Sequence, residues 1–228
     1  MSNIILKRLC VNHYSVLGVS CNILCLGTTE DRGNAAHSKY TLWHIETGGR
    51  KIHMAWQKGG VGRKLAIVRP GVVFGRGENG NFSRLYWGIR KHTFAYPGRK
   101  DTIKAYVYVK ELVRFILWNV EERKTPFDIF NCTFEPAYTI EQIVKAMKKV
   151  TGLSQSVPYL PNSIIMPMAA CAKMVGSPMG ICPARVKKLQ ISTNICGKKM
   201  ASSGYKFKWT FEEALKDWYE DNKQQCLE

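Results

Sequence analysis

An α/β fold is predicted for this chain of 228 residues, and three features predict it. From Lys51 onward, short apolar runs alternate with segments of helical periodicity. Leu65 to Phe74 is apolar almost throughout, around Arg69-Pro70, as a strand buried on both faces is. Thr139-Ile-Glu-Gln142 and Thr210-Phe-Glu-Glu213 are capping boxes, each of which opens a helix.

Each element follows from local chemistry. Lys51 to Gln57 reads as the tail of a helix, ended by Gly59-Gly60 and Gly62. Leu65 to Phe74 is the first clear strand. Asn81 to Lys91 is an amphipathic helix through Phe82, Leu85, Tyr86 and Ile89. Phe94 to Lys104 is a Pro/Gly loop, and Ala105 to Val109 alternates as a short strand. Glu111 to Val120 places Leu112, Val113, Ile116, Leu117 and Val120 on one helical face. Phe127 to Cys132 is another apolar strand. The helix opened at Thr139 runs to Thr151 and stops at Gly152, and the one opened at Thr210 ends near Asn222. Val157 to Pro183 is Pro-rich and reads as a separate, mostly helical lobe.

The composition narrows the function classes. Hydrophobic content of 45% supports one or two domains with a real core. A net charge of +17 suggests an anionic partner: nucleic acid, a membrane surface or a phosphorylated ligand. The charge is scattered, densest at Lys145 to Lys149, Arg185 to Lys188 and Lys198-Lys199, where it fits solvated faces. No nucleic-acid motif accompanies it, so nucleic-acid binding is not expected. Eight widely spread cysteines, without a CxxC or a Cys/His pairing, read as free thiols of a cytoplasmic protein, and no metal site is expected. The start mimics a secretory signal, with Lys7-Arg8 before an apolar stretch, but Asn12, His13 and Asn22 interrupt it. The apolar run Ile164 to Val175 is too short to span a bilayer.

Several landmarks fall in one order. Arg69-Pro-Gly-Val-Val-Phe-Gly75, Gly80-Asn-Phe82, Lys104-Ala-Tyr-Val-Tyr-Val-Lys-Glu-Leu112, Phe130-Asn131, Tyr138-Thr-Ile140 and Pro183 to Tyr205 succeed one another along the chain. Together they resemble the extended short-chain dehydrogenases/reductases, the NAD-dependent nucleotide-sugar epimerase/dehydratase family. The resemblance covers roughly Lys51 to Asn222 and concerns the C-terminal portion of that family. It implies a partial Rossmann-like parallel sheet, without its N-terminal dinucleotide-binding units, plus a small, mostly helical substrate lobe. Three regions follow: 1–50, degenerate; 51–152, the later part of the epimerase domain; 153–228, the substrate lobe and closing helices.

The resemblance also implies roles. Pro70 and Gly71 sit where family members contact NAD. Asn81 and Phe82 open the substrate lobe, with Asn81 as a sugar-nucleotide contact. Lys104 stands where the family has an Arg that pairs with the substrate diphosphate, so the charge is kept and the bidentate fork is lost. Arg185 could reach the nucleotide. The implied partners are a nucleoside-diphosphate sugar and a second copy in a homodimer.

Gly75-Arg-Gly-Glu-Asn-Gly80 is a literal GxGxxG after a strand and before a helix, with Asp101 downstream. Glu78 would set a carboxylate near a pyrophosphate, so dinucleotide binding there is not expected.

In this family a Tyr acts as acid/base, and a Lys one helical turn on lowers its pKa. That pair belongs just before Lys51, where Lys39 to Arg50 holds no Tyr-x-x-x-Lys. Tyr40 is followed four residues later by His44 rather than Lys. Reading Glu30 to Arg50 one nucleotide out of frame restores Tyr-Gly-Ile-Ser-Lys, with the Tyr codon across Leu42/Trp43 and the Lys codon across Glu46/Thr47. The expectation is that residues up to about 50 are an out-of-frame product and that no catalytic residue is assignable. The family activity is epimerase or dehydratase chemistry. The chain itself is expected to be an inactive, truncated member, or a remnant that only binds or dimerises. A sheet without its central strands should expose the edge of Leu65–Phe74 and favour insolubility or oligomers.

Overall fold

The computed structural model describes residues 9–16, 19–26, 50–61, 64–78, 80–122, 125–174 and 183–223. Tyr40, His44 and the whole slot from Lys39 to Gly49 lie outside them, and the frame-shift expectation with them.

The largest sheet has the order β1-β2-β3-β8. Strands β1 (Leu9–Val16) and β2 (Val19–Leu26) form an antiparallel hairpin, and β2 runs antiparallel to β3 (Leu65–Pro70). Strand β3 pairs in parallel with β8 (Phe127–Cys132), from Leu65↔Phe127 to Pro70↔Cys132. The edge of β3 that the sequence left open is therefore covered by β2, through Leu24↔Val68, Cys25↔Ile67 and Leu26↔Ala66. The expected exposure came from counting only parallel strands; an antiparallel hairpin closes the same backbone groups.

Side chains of the pair β3/β8 alternate between two faces, as the period of a strand demands. Val68, Phe130 and Cys132 meet Leu112, Phe115 and Ile116 of α3 (Val109–Glu122) on one face. Leu65, Ile67, Phe127 and Ile129 pack on the other, with Met54 from α1, helical over 50–58.

The apolar run Leu65 to Phe74 is not one strand. It breaks at Gly71, and β4 (Val72–Phe74) leaves β8 to pair in parallel with β7 (Tyr106–Tyr108). The Gly71 N–H goes to the Cys132 carbonyl and the Val72 N–H to the Ala105 carbonyl, both at 2.9 Å, so the chain changes partner within one residue. A Cβ on Gly71 would lie 2.6 Å from the Ala105 carbonyl oxygen, so only Gly permits the crossing.

The larger core lies beyond this crossing. Helices α2 (Asn81–Arg90), α4 (Ile140–Thr151) and α8 (Phe211–Lys223) enclose Phe74, Phe82, Tyr108, Ile143, Met147, Leu215 and Trp218. Both capping boxes form. Thr139 and Gln142 exchange bonds, Gly152 closes α4 at φ +72°, and the Thr210 N–H donates to Glu213 Oε2 while Glu213 N–H donates to Thr210 Oγ1. The phase of α3 differs from expectation. Leu112, Phe115 and Ile116 are buried, with Glu111 and Asn119, whereas Val113, Leu117 and Val120 are exposed. Buried polar residues shift the true inner face, and a purely apolar pattern discards them.

Two further short strand pairs form. Strand β5 (Tyr96–Pro97) runs parallel to β10 (Tyr159–Leu160), and β6 (Ile103–Lys104) pairs antiparallel with β9 (Tyr138–Thr139). Helices α5 (Asn162–Met174), α6 (Pro183–Gln190) and the single turn α7 (Lys198–Ala201) complete the chain before α8.

Candidate functional site

The strand from Lys104 to Tyr106 is where the sequence-predicted segments meet. Gly71 crosses Ala105 with its Cα against the Ala105 carbonyl. The Phe82 ring packs edge-on to Tyr106 at 4.6 Å between centroids. Lys104 Nζ donates to the Ile191 carbonyl at 2.7 Å, Ile103 N–H to Ser192 Oγ, and Thr193 N–H to the Ile103 carbonyl. Helix α6, which carries Arg185, ends at Gln190, directly before this contact. The side chain of Arg185 lies outside the described ones.

Individual residues differ in what they can offer. Pro70 is buried and has no N–H, and the Gly71 N–H is committed to Cys132. Asn81 is exposed at the start of α2. Phe82 is a core residue, 1% exposed and stacked on Phe74 at 4.3 Å, so its ring cannot reach a ligand. Lys104 is half-buried, a cation held at the seam between β6 and the segment after α6.

The Gly-rich loop 75–80 is filled from within. Glu78 folds back over the first turn of α2 and accepts from Ser83 N–H at 3.0 Å, Ser83 Oγ at 3.0 Å and Phe82 N–H at 3.4 Å. The carboxylate stands where an anion would sit at a helix N-terminus. A Cβ on Gly75 would lie 2.2 Å from Val109 Cγ1, which explains that glycine by packing. Gly77 N–H is held by Asn222 Oδ1 at 2.9 Å. This loop is a structural turn, and a pyrophosphate does not fit it.

The Tyr-x-x-x-Lys spacing, missing from its expected slot, occurs three times elsewhere, at Tyr96/Lys100, Tyr106/Lys110 and Tyr219/Lys223. None of the three reproduces the chemistry, which needs a Tyr with a lowered pKa. Burial, and then Glu141, push the Tyr96 hydroxyl up to about 12, and Lys100 sits over its ring, 5.3 Å from the centroid. Burial, then Glu78, also raises Tyr106, and Lys110 turns away to Asp217 at 2.6 Å and Asp221 at 2.9 Å. Tyr219 lies on a helix but is raised by burial and by Tyr86, and the side chain of Lys223 lies outside the described ones. Among the described residues there is no cluster of three or more His, Cys, Asp or Glu able to hold a metal ion. No helix among them is long and apolar enough to cross a membrane.

Comparison with known proteins gives a consistent picture. No family model matches the chain. A curated relative, the N-acetyl-α-D-glucosaminyl-diphospho-ditrans,octacis-undecaprenol 4-epimerase of Escherichia coli O157:H7, is 27% identical over 159 residues, covering 67% of this chain and 47% of the relative. The chain therefore spans about half the length of this relative. The solved structure of a UDP-N-acetylglucosamine 4-epimerase from Methanobrevibacter ruminantium M1, with UDP-N-acetylmuramic acid, matches at a TM-score of 0.53 and 16% identity, covering 80% of this chain and 54% of that one. The human epimerase family protein SDR39U1, with NADPH, matches at 0.51 and 16% identity, covering 68% and 48%. In sequence this chain is similar to a nucleotide-sugar-type 4-epimerase, and in fold to NAD-dependent epimerases of the short-chain dehydrogenase/reductase type, over about half of their length.

Proposed function

We propose that this chain is the sugar-diphosphate side of an NAD-dependent epimerase: it binds a diphosphate-linked N-acetylhexosamine and does not turn it over alone. The observation that carries the reading is the meeting of three segments on Lys104 to Tyr106, with the Lys104 ammonium at their seam. A diphosphate arriving there exchanges the neutral Ile191 carbonyl for charged oxygens, a stronger acceptor for an ammonium. The relatives supply the sugar class. One is named for N-acetylglucosamine diphosphate carried on a polyprenol and another for UDP-N-acetylglucosamine.

NAD is the cofactor of the family. The described residues do not make a seat for it, since Glu78 fills the Gly-rich loop and Gly71 N–H is already bonded. The three Tyr/Lys pairs have raised or misplaced phenols. The chain is thus a binding half, working in the cytoplasm, where its thiols stay reduced.

Calorimetric titration of the purified chain with UDP-N-acetylglucosamine tests this. Saturable binding, weakened about tenfold by Lys104→Ala, is expected. An NAD-dependent turnover assay on the same protein is expected to give no product. Absence of saturable binding, or measurable epimerisation, overturns the reading.

A further inference from the structure

Helix α3 carries two apolar stripes. Leu112, Phe115 and Ile116 form the first and pack with Val68 and Phe130 of the sheet. Val113, Leu117 and Val120 form the second, and they are 48%, 52% and 63% exposed. At 100° per residue these three fall within an arc of about 60°. Their spacing, four residues and then three, is that of a coiled-coil seam. Such a seam on the outside of a folded chain is a place for another helix.

The flank of the seam selects the occupant. Arg114 and Glu121 are both exposed and stand seven residues apart, so they share one side of the seam, about 80–100° from Val113. In heptad terms Leu117 is an a residue, Val113 and Val120 are d residues, and Arg114 and Glu121 are both e residues. The Arg114 guanidinium lies over the Trp209 ring, 5.6 Å from its centroid, a contact that steadies the group without using its N–H donors. Lys110, at the preceding a position, is already neutralised by Asp217 at 2.6 Å and Asp221 at 2.9 Å.

When two identical helices pair antiparallel about a two-fold axis, each flank meets the same flank of the other helix in reverse order. Centred on Leu117, this pairing sets Leu117 against Leu117 of the partner subunit and Val113 against Val120 of the partner subunit. It also sets Arg114 against Glu121 of the partner subunit, and the axis makes that contact twice. A parallel pair would instead lay the Arg114/Glu121 flank against the opposite one, where Ile116 is buried, and both charges would lose their partner. An anionic surface would meet Glu121 and Glu122, both exposed at the end of the helix.

We propose that α3 pairs antiparallel with α3 of a second copy of this chain, through Val113, Leu117 and Val120, in a register set by Arg114 and Glu121. The helix has 14 residues and is roughly 21 Å long. A pair of this length lies at the small end of specific interfaces, so the dimer is reversible, formed at roughly tens of micromolar and dissolved on dilution. The pairing is independent of the diphosphate reading of Lys104.

Sedimentation equilibrium of the full chain over a range of concentrations tests this. A monomer–dimer equilibrium is expected for the wild type. Leu117→Glu sets two like charges at the axis and should weaken association by about tenfold or more. Leu117 is half-exposed, so the melting temperature of this variant in dilute solution should match the wild type. Arg114→Glu should weaken association by about tenfold, and the exchange Arg114→Glu/Glu121→Arg should restore it to within about threefold. The exchange reads the register itself, since the antiparallel pair is what sets these two side chains against each other. Three results overturn the proposal: a wild type that stays monomeric at every concentration, which would leave the seam to a different partner; a Leu117→Glu variant that dimerises like the wild type; or an exchange variant that associates no better than Arg114→Glu.

Discussion

The buried carboxylate of Glu111 accepts the hydroxyl of Tyr205 and thereby ties α3 to the segment that leads into α8. The same carboxylate accepts from the Lys208 N–H at 3.1 Å and the Trp209 N–H at 3.0 Å. Burial, with Glu111 beside it, pushes the Tyr205 hydroxyl up, so it remains a donor. Replacing Glu111 by Ala leaves three buried or half-buried donors without an acceptor. The expected loss is about 3 kcal/mol in urea denaturation, against about 1 kcal/mol for Tyr205→Phe. A loss below that of Tyr205→Phe would show the carboxylate to be dispensable.

Gly71→Ala is expected to destabilise the chain by about 2 kcal/mol, because the new methyl meets the backbone carbonyl of Ala105 first, and the Thr133 side chain next. A β-carbon at Gly77 meets nothing within 4 Å, so Gly77→Ala carries only the strain of its φ of +74° and should cost less. Equal midpoints in urea for the two variants would refute the assignment of Gly71 as the crossing point.

The Lys110 ammonium bridges Asp217 and Asp221, and Asp217 also accepts the Tyr108 hydroxyl. Burial raises the Asp217 carboxyl, but Lys110 and Tyr108 more than offset it, so its folded pKa lies below the ordinary value. A depressed carboxyl contributes stability that is fully present above its unfolded pKa of about 3.9 and lost as pH falls through the folded one. Acid should therefore lower the urea midpoint of the wild type more than that of Asp217→Asn. The Lys110 ammonium is raised, chiefly by its bond to Asp217. Its contribution persists below an unfolded pKa of about 10.4 and is lost only as pH rises beyond that. Parallel pH profiles for the wild type and the variant would argue against this ion pair as a source of acid sensitivity.

Removing residues 1–26 deletes β1 and β2 and uncovers the edge of β3. Edge strands of this kind pair with other chains. Soluble aggregates that grow with concentration are expected by light scattering, where the full chain stays smaller. A shortened chain that remains monomeric would mean that the hairpin is not needed to protect β3.

What the sequence disclosed was chiefly local. The boxes at Thr139 and Thr210 were legible because each is complete within four residues. The strands Leu65–Pro70 and Phe127–Cys132 were legible as short, mostly apolar runs. The break at Gly71 was not, since its cause is the Ala105 carbonyl, which is remote in sequence. The inner face of α3 was misplaced because Glu111 and Asn119 are buried polar residues. In the site, Lys104 was found through its resemblance to a family position. Its bond to Ile191 is a long-range contact that no spacing announces.

The hairpin has one more consequence, for assembly. Strand β3 holds β8 through six residue pairs but β2 through three. The partner held through fewer pairs occupies the edge of β3 opposite β8. Any polypeptide that added a strand at this edge in trans would compete with β2 for the same backbone groups of Ala66, Ile67 and Val68. The hairpin is in this sense a resident competitor, and complementation of the chain by a second polypeptide would begin as strand exchange rather than as docking onto a vacant surface.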